Sequence, residues 1–307
     1  MRKRFYVFEH QGKEKMYVQA LLDAGWRKAE SVSNMVKFCL VDFDIKNGRQ
    51  QKLELMRKRW GIGKFFVYPH AARPNVVNDI YPNWEHTTAQ FVVTPAHAEV
   101  LKLYGYPKPV YPVGWHLSEI KPFRRTPGYK VLFAPIHPRM SDIDKQTNAD
   151  TFKILSDLAL KGRIKLTIRY IHSLEDSGLP IEQYEHIDYV KGVQNGCTED
   201  IENADVVVSH QTYAYLARAL GTPTIMMNEH IPPKDFKLTG EVIYAKNWEM
   251  YRHLIQYPLD ILNTPDPLNL IQRASEGDED VREWTANMIG DKLFDANEFV
   301  HRINVHT

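Results

Sequence analysis

Residues Ala204–Glu229, ADVVVSHQTYAYLARALGTPTIMMNE, read as a strand, a polar turn, a helix and a second strand. Ala204–Val208 is a short β-branched apolar run, the pattern of a strand buried on both faces, and Pro223–Met227 is another. Between them Tyr213, Leu216, Ala217 and Leu220 recur at helical spacing, Gly221 is a natural stop, and Pro223 cannot continue the helix. Such a unit implies parallel strands joined by a right-handed crossover. The turn Ser209-His210-Gln211-Thr212 then stands at the carboxyl end of the first strand and opens the helix. Free backbone N–H groups and the positive end of the helix dipole point at that turn, which suits an anion. Ser209 and Thr212 either bond a phosphate or cap the helix, and His210 stands between them.

The rest of the chain repeats this alternation. Strands are expected at Phe5–Phe8, Val36–Phe43, Phe65–Tyr68, Gln90–Val93 and Val110–Val113, with helices between them; Thr94-Pro95 opens one of these at the position proline favours. Pro122–Gly128, PFRRTPG, supplies chain breakers. Strands then resume at Lys130–Phe133, Leu166–Ile171 and Ile187–Val190, with a helix at Ala149–Leu160. Further helices are expected at Trp248–Ile255, Pro267–Ala274, Val281–Ile289 and Asp291–Ile303, the last with Leu293, Ala296, Val300 and Ile303 on one face. The expected class is α/β, two Rossmann-like parallel-sheet domains facing a cleft: residues 1–121, a linker at 122–128, and residues 129–307 with the terminal helices.

A chain of 307 residues can bury two ordinary cores, and 43% hydrophobic with 25% charged residues is the balance of a soluble globular protein. The formal charge of +1 means that any charged partner is met locally rather than by a globally charged surface. Cys39 lies in an apolar run and Cys197 in a polar one, which suggests neither a disulfide framework nor a zinc site and fits a reducing compartment. The start is basic, but Phe5–Phe8 is too short for a signal-peptide core, so a cytoplasmic protein without a membrane span is expected.

No G-x-G-x-x-G follows the first strand, and no Walker lysine, H-E-x-x-H, paired C-x-x-C or G-x-S-x-G occurs. What remains is a set of polar residues at the carboxyl ends of strands, where open α/β sheets bind ligands. In the second half these are His137 and Arg139, Arg169 and His172, Ser209 to Thr212, and Glu229. Three loops thus bring cations or donors to one sheet edge, as a pyrophosphate requires; alternatively Arg169 alternates outward on its strand and His172 is a loop residue. In the first half they are His10, Asp42, Asp44 and His70, with Arg73 nearby. Lys52–Lys64 holds Lys52, Arg57, Lys58, Arg59 and Lys64 against Glu54, beside Trp60. It is either a solvated helix face or a contact for an anionic acceptor such as nucleic acid.

The order Asp205, Ser209, Ala217–Pro223 and Glu229 resembles the donor-binding half of GT-B glycosyltransferases, and of the related sugar-nucleotide 2-epimerases and CDP-glycerol glycerophosphotransferases. The resemblance implies transfer of a sugar from a nucleotide-diphosphate donor, the co-substrate, to an acceptor hydroxyl, with no obligatory metal or other cofactor. It puts Arg139 and His210 near the diphosphate and Glu229 near a ribose hydroxyl. Transfer to a hydroxyl needs a base, and histidine titrates in the right range unaided. His70 resembles the histidine after the third strand in glycerophosphotransferases, although His70-Ala71 replaces the family's H-G; His10 and Asp44 are rivals. Arg57, Arg59 and Arg73 are candidate acceptor contacts, the acceptor being a glycan or a modified nucleic-acid base. The T-E-R-P-E run of the epimerases is absent from Asn228–Pro233, and the serine-rich turn of the glycerophosphotransferases is replaced by His210-Gln211. A noncatalytic nucleotide- or glycan-binding module of the same fold is the remaining alternative.

Overall fold

The computed structural model describes residues 3–8, 14–33, 35–42, 50–69, 87–103, 106–115, 119–135, 142–171, 173–192, 198–209, 211–227, 237–238, 241–242, 261–262, 264–290 and 292–307. The expected helix at Trp248–Ile255 lies outside them.

The first unit contains β1 (Arg4–Phe8), α1 (Lys15–Asp23), β2 (Arg27–Lys28), β3 (Phe38–Asp42), α2 (Gln50–Trp60), β4 (Phe65–Tyr68), β5 (Ala89–Val92), α3 (Pro95–Leu103) and β6 (Val110–Pro112). Its six strands lie in the order β2-β1-β3-β4-β5-β6, all pairs parallel. Every residue of β4 and β5 is buried, as expected of strands covered on both faces, and β5 buries Gln90 among its apolar residues.

This core is closed by the far end of the chain. Residues 292–307 group with residues up to 118 in one compact unit, whereas the sequence suggests a single second domain over 129–307. Asp295 accepts from the Glu298 N–H and starts α9 (Ala296–His306) later than expected. Phe299 and Ile303 of that helix are fully buried in the cluster of Phe5, Tyr17, Phe66 and Phe91. Phe299 lies 4.7 Å from Phe91 and 5.3 Å from Tyr17, ring centre to ring centre. Leu293, by contrast, is exposed and lies outside the helix. The helix face that looked like part of a second domain therefore belongs to the first core.

The second unit contains β7 (Lys130–Ala134), α4 (Asp142–Leu160), β8 (Lys165–Tyr170), β9 (Ile187–Lys191), α5 (Thr198–Asn203), β10 (Val206–Ser209), α6 (Gln211–Ala219) and β11 (Thr224–Met226). These strands form a parallel sheet ordered β11-β10-β7-β8-β9. A short antiparallel ribbon, β12 (Lys237–Leu238) with β13 (Glu241–Val242), groups with the first unit. Helix α4 starts seven residues earlier than its apolar pattern suggests, because Thr147, Asn148 and Thr151 are buried and Asn148 donates to the Ser177 carbonyl at 2.9 Å. The segment read as a linker is extended and anchored to this unit: Arg124 donates to the Glu202 carbonyl at 2.5 Å and to Thr222 Oγ1 at 2.7 Å.

Helices α7 (Pro267–Glu276) and α8 (Glu279–Ile289) brace β11, with Thr285 Oγ1 donating to the Thr224 carbonyl at 3.0 Å. Asp278 joins them, accepting from Arg273 through both oxygens at 2.9 and 3.0 Å and from the Val281 N–H at 3.2 Å. The Arg273 guanidinium holds the Asp278 carboxyl below its usual value. A depressed folded-state pKa means that this contribution is complete above the unfolded carboxylate value, about 3.9, and is lost as pH falls through the lower folded value.

Two outcomes are expected. Phe299→Ala should cost the first unit about 3–5 kcal/mol, read as an earlier transition in urea by Trp26 fluorescence. Asp278→Asn should flatten the acid limb of the second unit's pH–stability profile below about pH 4, compared with the native chain by circular dichroism.

Candidate functional site

In the order β11-β10-β7-β8-β9 the chain leaves β7 in one direction and β10 in the other. Right-handed crossovers then put α4 and α6 on opposite faces, which makes the carboxyl ends of β7 and β10 the switch point at which open α/β sheets bind ligands. Ser209 stands at this point, in register with Ala134 on one side and Met226 on the other. Its buried hydroxyl donates to the Ala134 carbonyl at 2.8 Å, and its own carbonyl accepts from the Met227 N–H at 2.8 Å. The single hydroxyl proton is therefore directed to Ala134, and Ser209 ties the strands that flank the switch point.

Helix α6 begins two residues beyond, at Gln211, with Thr212 in its first turn. Its nine residues end in paired bonds, Thr222 N–H to the Ala217 carbonyl and Gly221 N–H to the Arg218 carbonyl, with Gly221 at φ +76°. A Cβ at Gly221 would overlap the Pro122 carbonyl, so the stop is sterically required. The helix is thus held at its carboxyl end, and its start follows β10 at the switch point.

Arg169, in β8, is buried rather than turned outward, and its guanidinium forms an ion pair with Asp200 of α5. Gly192 packs against that guanidinium so closely that a Cβ would overlap it, while the Gly192 N–H donates to the Tyr170 carbonyl at 2.8 Å. Asp200 is a partner of Arg169 that the sequence reading missed. It sits in the acidic first turn of α5, where carboxylates ordinarily serve the helix dipole, and nothing local marks its distant partner.

His10, Asp44, His70, Arg73, His137, Arg139, His172, His210 and Glu229 lie outside the described residues, as do the side chains of Gln211 and Thr212. Arg57 and Arg59 are exposed in the last turn of α2, which leads into the amino end of β4; Arg59 lies 5.0 Å above the Trp60 ring. Asp205 is at the amino edge of its sheet, where Oδ2 accepts from the Lys130 N–H at 2.9 Å and a Cβ at Gly128 would overlap the carboxylate. A cavity of about 410 Å³ on the second sheet is lined by Lys130, Lys165, Thr167, Asp188 and Asp200 and carries both signs of charge. Cys39 is buried, and burial pushes its thiol pKa far up. Among the described residues no group of three or more His, Cys, Asp or Glu could hold a metal ion, and no helix is long and apolar enough to cross a membrane.

No family model matches the chain, and no curated protein does. Among solved structures it is similar to that of TarM, at 14% identity and a TM-score of 0.46 over 90% of this chain and 56% of that one. It is also similar to the S. aureus MnaA–UDP structure, at 11% identity and 0.49 over 99% and 95%. The glycotransferase of kitacinnamycin gives 13% identity and 0.43 over 99% and 96%. The chain thus spans little more than half the length of TarM.

Removing one partner of a buried ion pair leaves the other charge uncompensated. Asp200→Ala should therefore cost the second unit roughly 3 kcal/mol, read from the midpoint of thermal unfolding.

Proposed function

We propose that this chain is a GT-B-type glycosyltransferase, using a nucleotide-diphosphate sugar as co-substrate and transferring the sugar to an acceptor hydroxyl. The observation that carries the reading is the point at the carboxyl ends of β7 and β10 where the strand order reverses, bridged by the Ser209–Ala134 bond and followed in sequence by the start of α6. An open parallel sheet offers an anion its best site at such a point, where a helix start and the strand-following loops converge.

In this reading the donor's diphosphate lies at the first turn of α6, against Gln211 and Thr212, with His210, His137 and Arg139 supplying cations or donors. Arg169 stabilises the same edge from within, paired with Asp200. Glu229 follows β11 in sequence and takes a ribose hydroxyl. As the bond to the sugar breaks, negative charge grows on the departing diphosphate, and donors already in place there lower the barrier without reorganising. The reading requires no metal. His70 is the proposed base that removes the acceptor proton, with His10 and Asp44 as the other candidates and Arg73 as an acceptor contact. The acceptor is a glycan or a modified nucleic-acid base, and the compartment is the cytoplasm.

The test is thermal stabilisation by UDP, GDP, CDP, ADP and TDP and their sugars, with Arg139→Ala and His210→Ala alongside. One base family should raise the midpoint by several degrees, because ligand at a hundredfold excess over Kd adds about 2.7 kcal/mol. Both substitutions should abolish that rise. No stabilisation by any diphosphate would overturn the donor assignment. With the stabilising sugar in hand, His70→Ala should leave the thermal shift intact and remove hydrolysis or transfer of the sugar; unchanged turnover would pass the base role to His10 or Asp44.

A further inference from the structure

The face of the second sheet that carries α5 is only partly covered by it. Ile201 in this six-residue helix and Ala204 just beyond it pack on Leu132 of β7. Leu132 stands in register with Thr167 of β8, and Thr167 with Asp188 of β9, so the three side chains share one face. Leu132 is buried there, Thr167 half-buried and Asp188 exposed. The helix thus shelters β7 and leaves the same face of β8 and β9 open, and the cavity of about 410 Å³ lies against it.

Leu132, Ala204 and half-buried Val190 give the cavity an apolar base, and its charged groups are mostly answered already. Lys165 Nζ lies 3.4 Å from Asp188, and Asp200 is paired with buried Arg169. That leaves Lys130. Its main-chain N–H is held by Asp205 Oδ2 at 2.9 Å, and its ammonium has no ion-pair partner among the described residues. One positive charge is therefore in surplus, which calls for a ligand with one anionic group. The Thr167 hydroxyl and the Asn203 amide both donate and accept, whereas Asp188 and Asp200 as carboxylates only accept. With their charges already balanced, those carboxylates are served by ligand hydroxyls rather than by an ammonium. None of the described residues lining the cavity is aromatic, so a nucleobase finds no stacking surface. The volume is near the lower end of small-molecule sites, about 300–1,000 Å³, which admits one sugar ring rather than a chain of them.

We propose that this cavity binds a monosaccharide bearing one anionic group, a carboxylate or a phosphate. The anion meets Lys130, the ring lies on Leu132 and Val190, and ring hydroxyls bond Asp188, Asp200, Thr167 and Asn203. Lys130 and Lys165 are the first residues of their strands, whereas the donor is assigned to the carboxyl ends of the same sheet. The two sites are therefore distinct, and this one stands whether or not the donor reading does.

The experiment is isothermal titration of the whole chain with glucuronate, galacturonate, glucose 6-phosphate, glucose, acetate and inorganic phosphate. At least one sugar anion should bind at a single site, about tenfold or more tightly than glucose and than its own anionic group alone. The uronates against the sugar phosphate then tell which anion is preferred. Lys130→Ala should weaken that binding about tenfold or more, and Thr167→Val about threefold or more. Lys130 is exposed and Thr167 half-buried, and circular dichroism checks that both variants are folded. Arg139→Ala with His210→Ala should leave the binding unchanged. The proposal is overturned if no sugar anion binds, or if acetate or phosphate binds as tightly as its sugar counterpart, which makes Lys130 a surface cation only. It is also overturned if binding survives Lys130→Ala and is lost with Arg139→Ala and His210→Ala, which would put the sugar in the donor site.

Discussion

The second unit depends on the parallel pairing of β10 with β7, Val206 against Val131 through Ser209 against Ala134. After β9 the chain must return across β8 and β7 to make it, and the strand it delivers is buried throughout. That return reverses the direction in which strands are added, which is what separates α4 from α6 and sets the switch point at the carboxyl edge. The small hydrogen-bonding residue at the end of β10 is the consequence for sequence: its hydroxyl adds a bond to the Ala134 carbonyl beside the ladder. Lock, switch point and helix start are results of one choice of neighbour.

Much of this was legible because it is local. The apolar run before Ser209, the spacing of Tyr213, Leu216, Ala217 and Leu220, and the stop at Gly221 are all within one short stretch, and each is written in residue type. Pairings made at a distance were not. Arg169 alternates with Ile168 as an outward residue should, and only its neighbours in space, Asp200 and Gly192, make it an interior one. The first seven residues of α4 escaped notice because the buried side chains there are polar: Thr147 and Asn148 bury a hydroxyl and an amide, which a hydrophobic period does not register. Asp205, which leads the strand before Ser209, accepts a backbone N–H from Lys130 at the amino end of that strand.

The even charge balance of the chain also conceals a division between edges. In each sheet two neighbouring strands begin with cations: Arg4 stands beside Arg27 in one, and Lys130 beside Lys165 in the other. A total of +1 is the sum of such local excesses and of acids placed elsewhere, as in the acidic turn between α7 and α8. Net charge therefore says little about which surface meets a partner, and the row along a strand ladder says more.

The late contribution of Phe299 and Ile303 to the first core sets an order of events during synthesis. Domains that are continuous in sequence can close as they leave the ribosome, amino-terminal first. Here the amino-terminal sheet emerges first but lacks two of its innermost side chains until α9 appears, after every strand of the second sheet. The unit made first is the unit finished last. Throughout elongation it exposes Tyr17, Phe66 and Phe91 to whatever binds nascent apolar chains, so chaperone engagement should concentrate on the amino-terminal half.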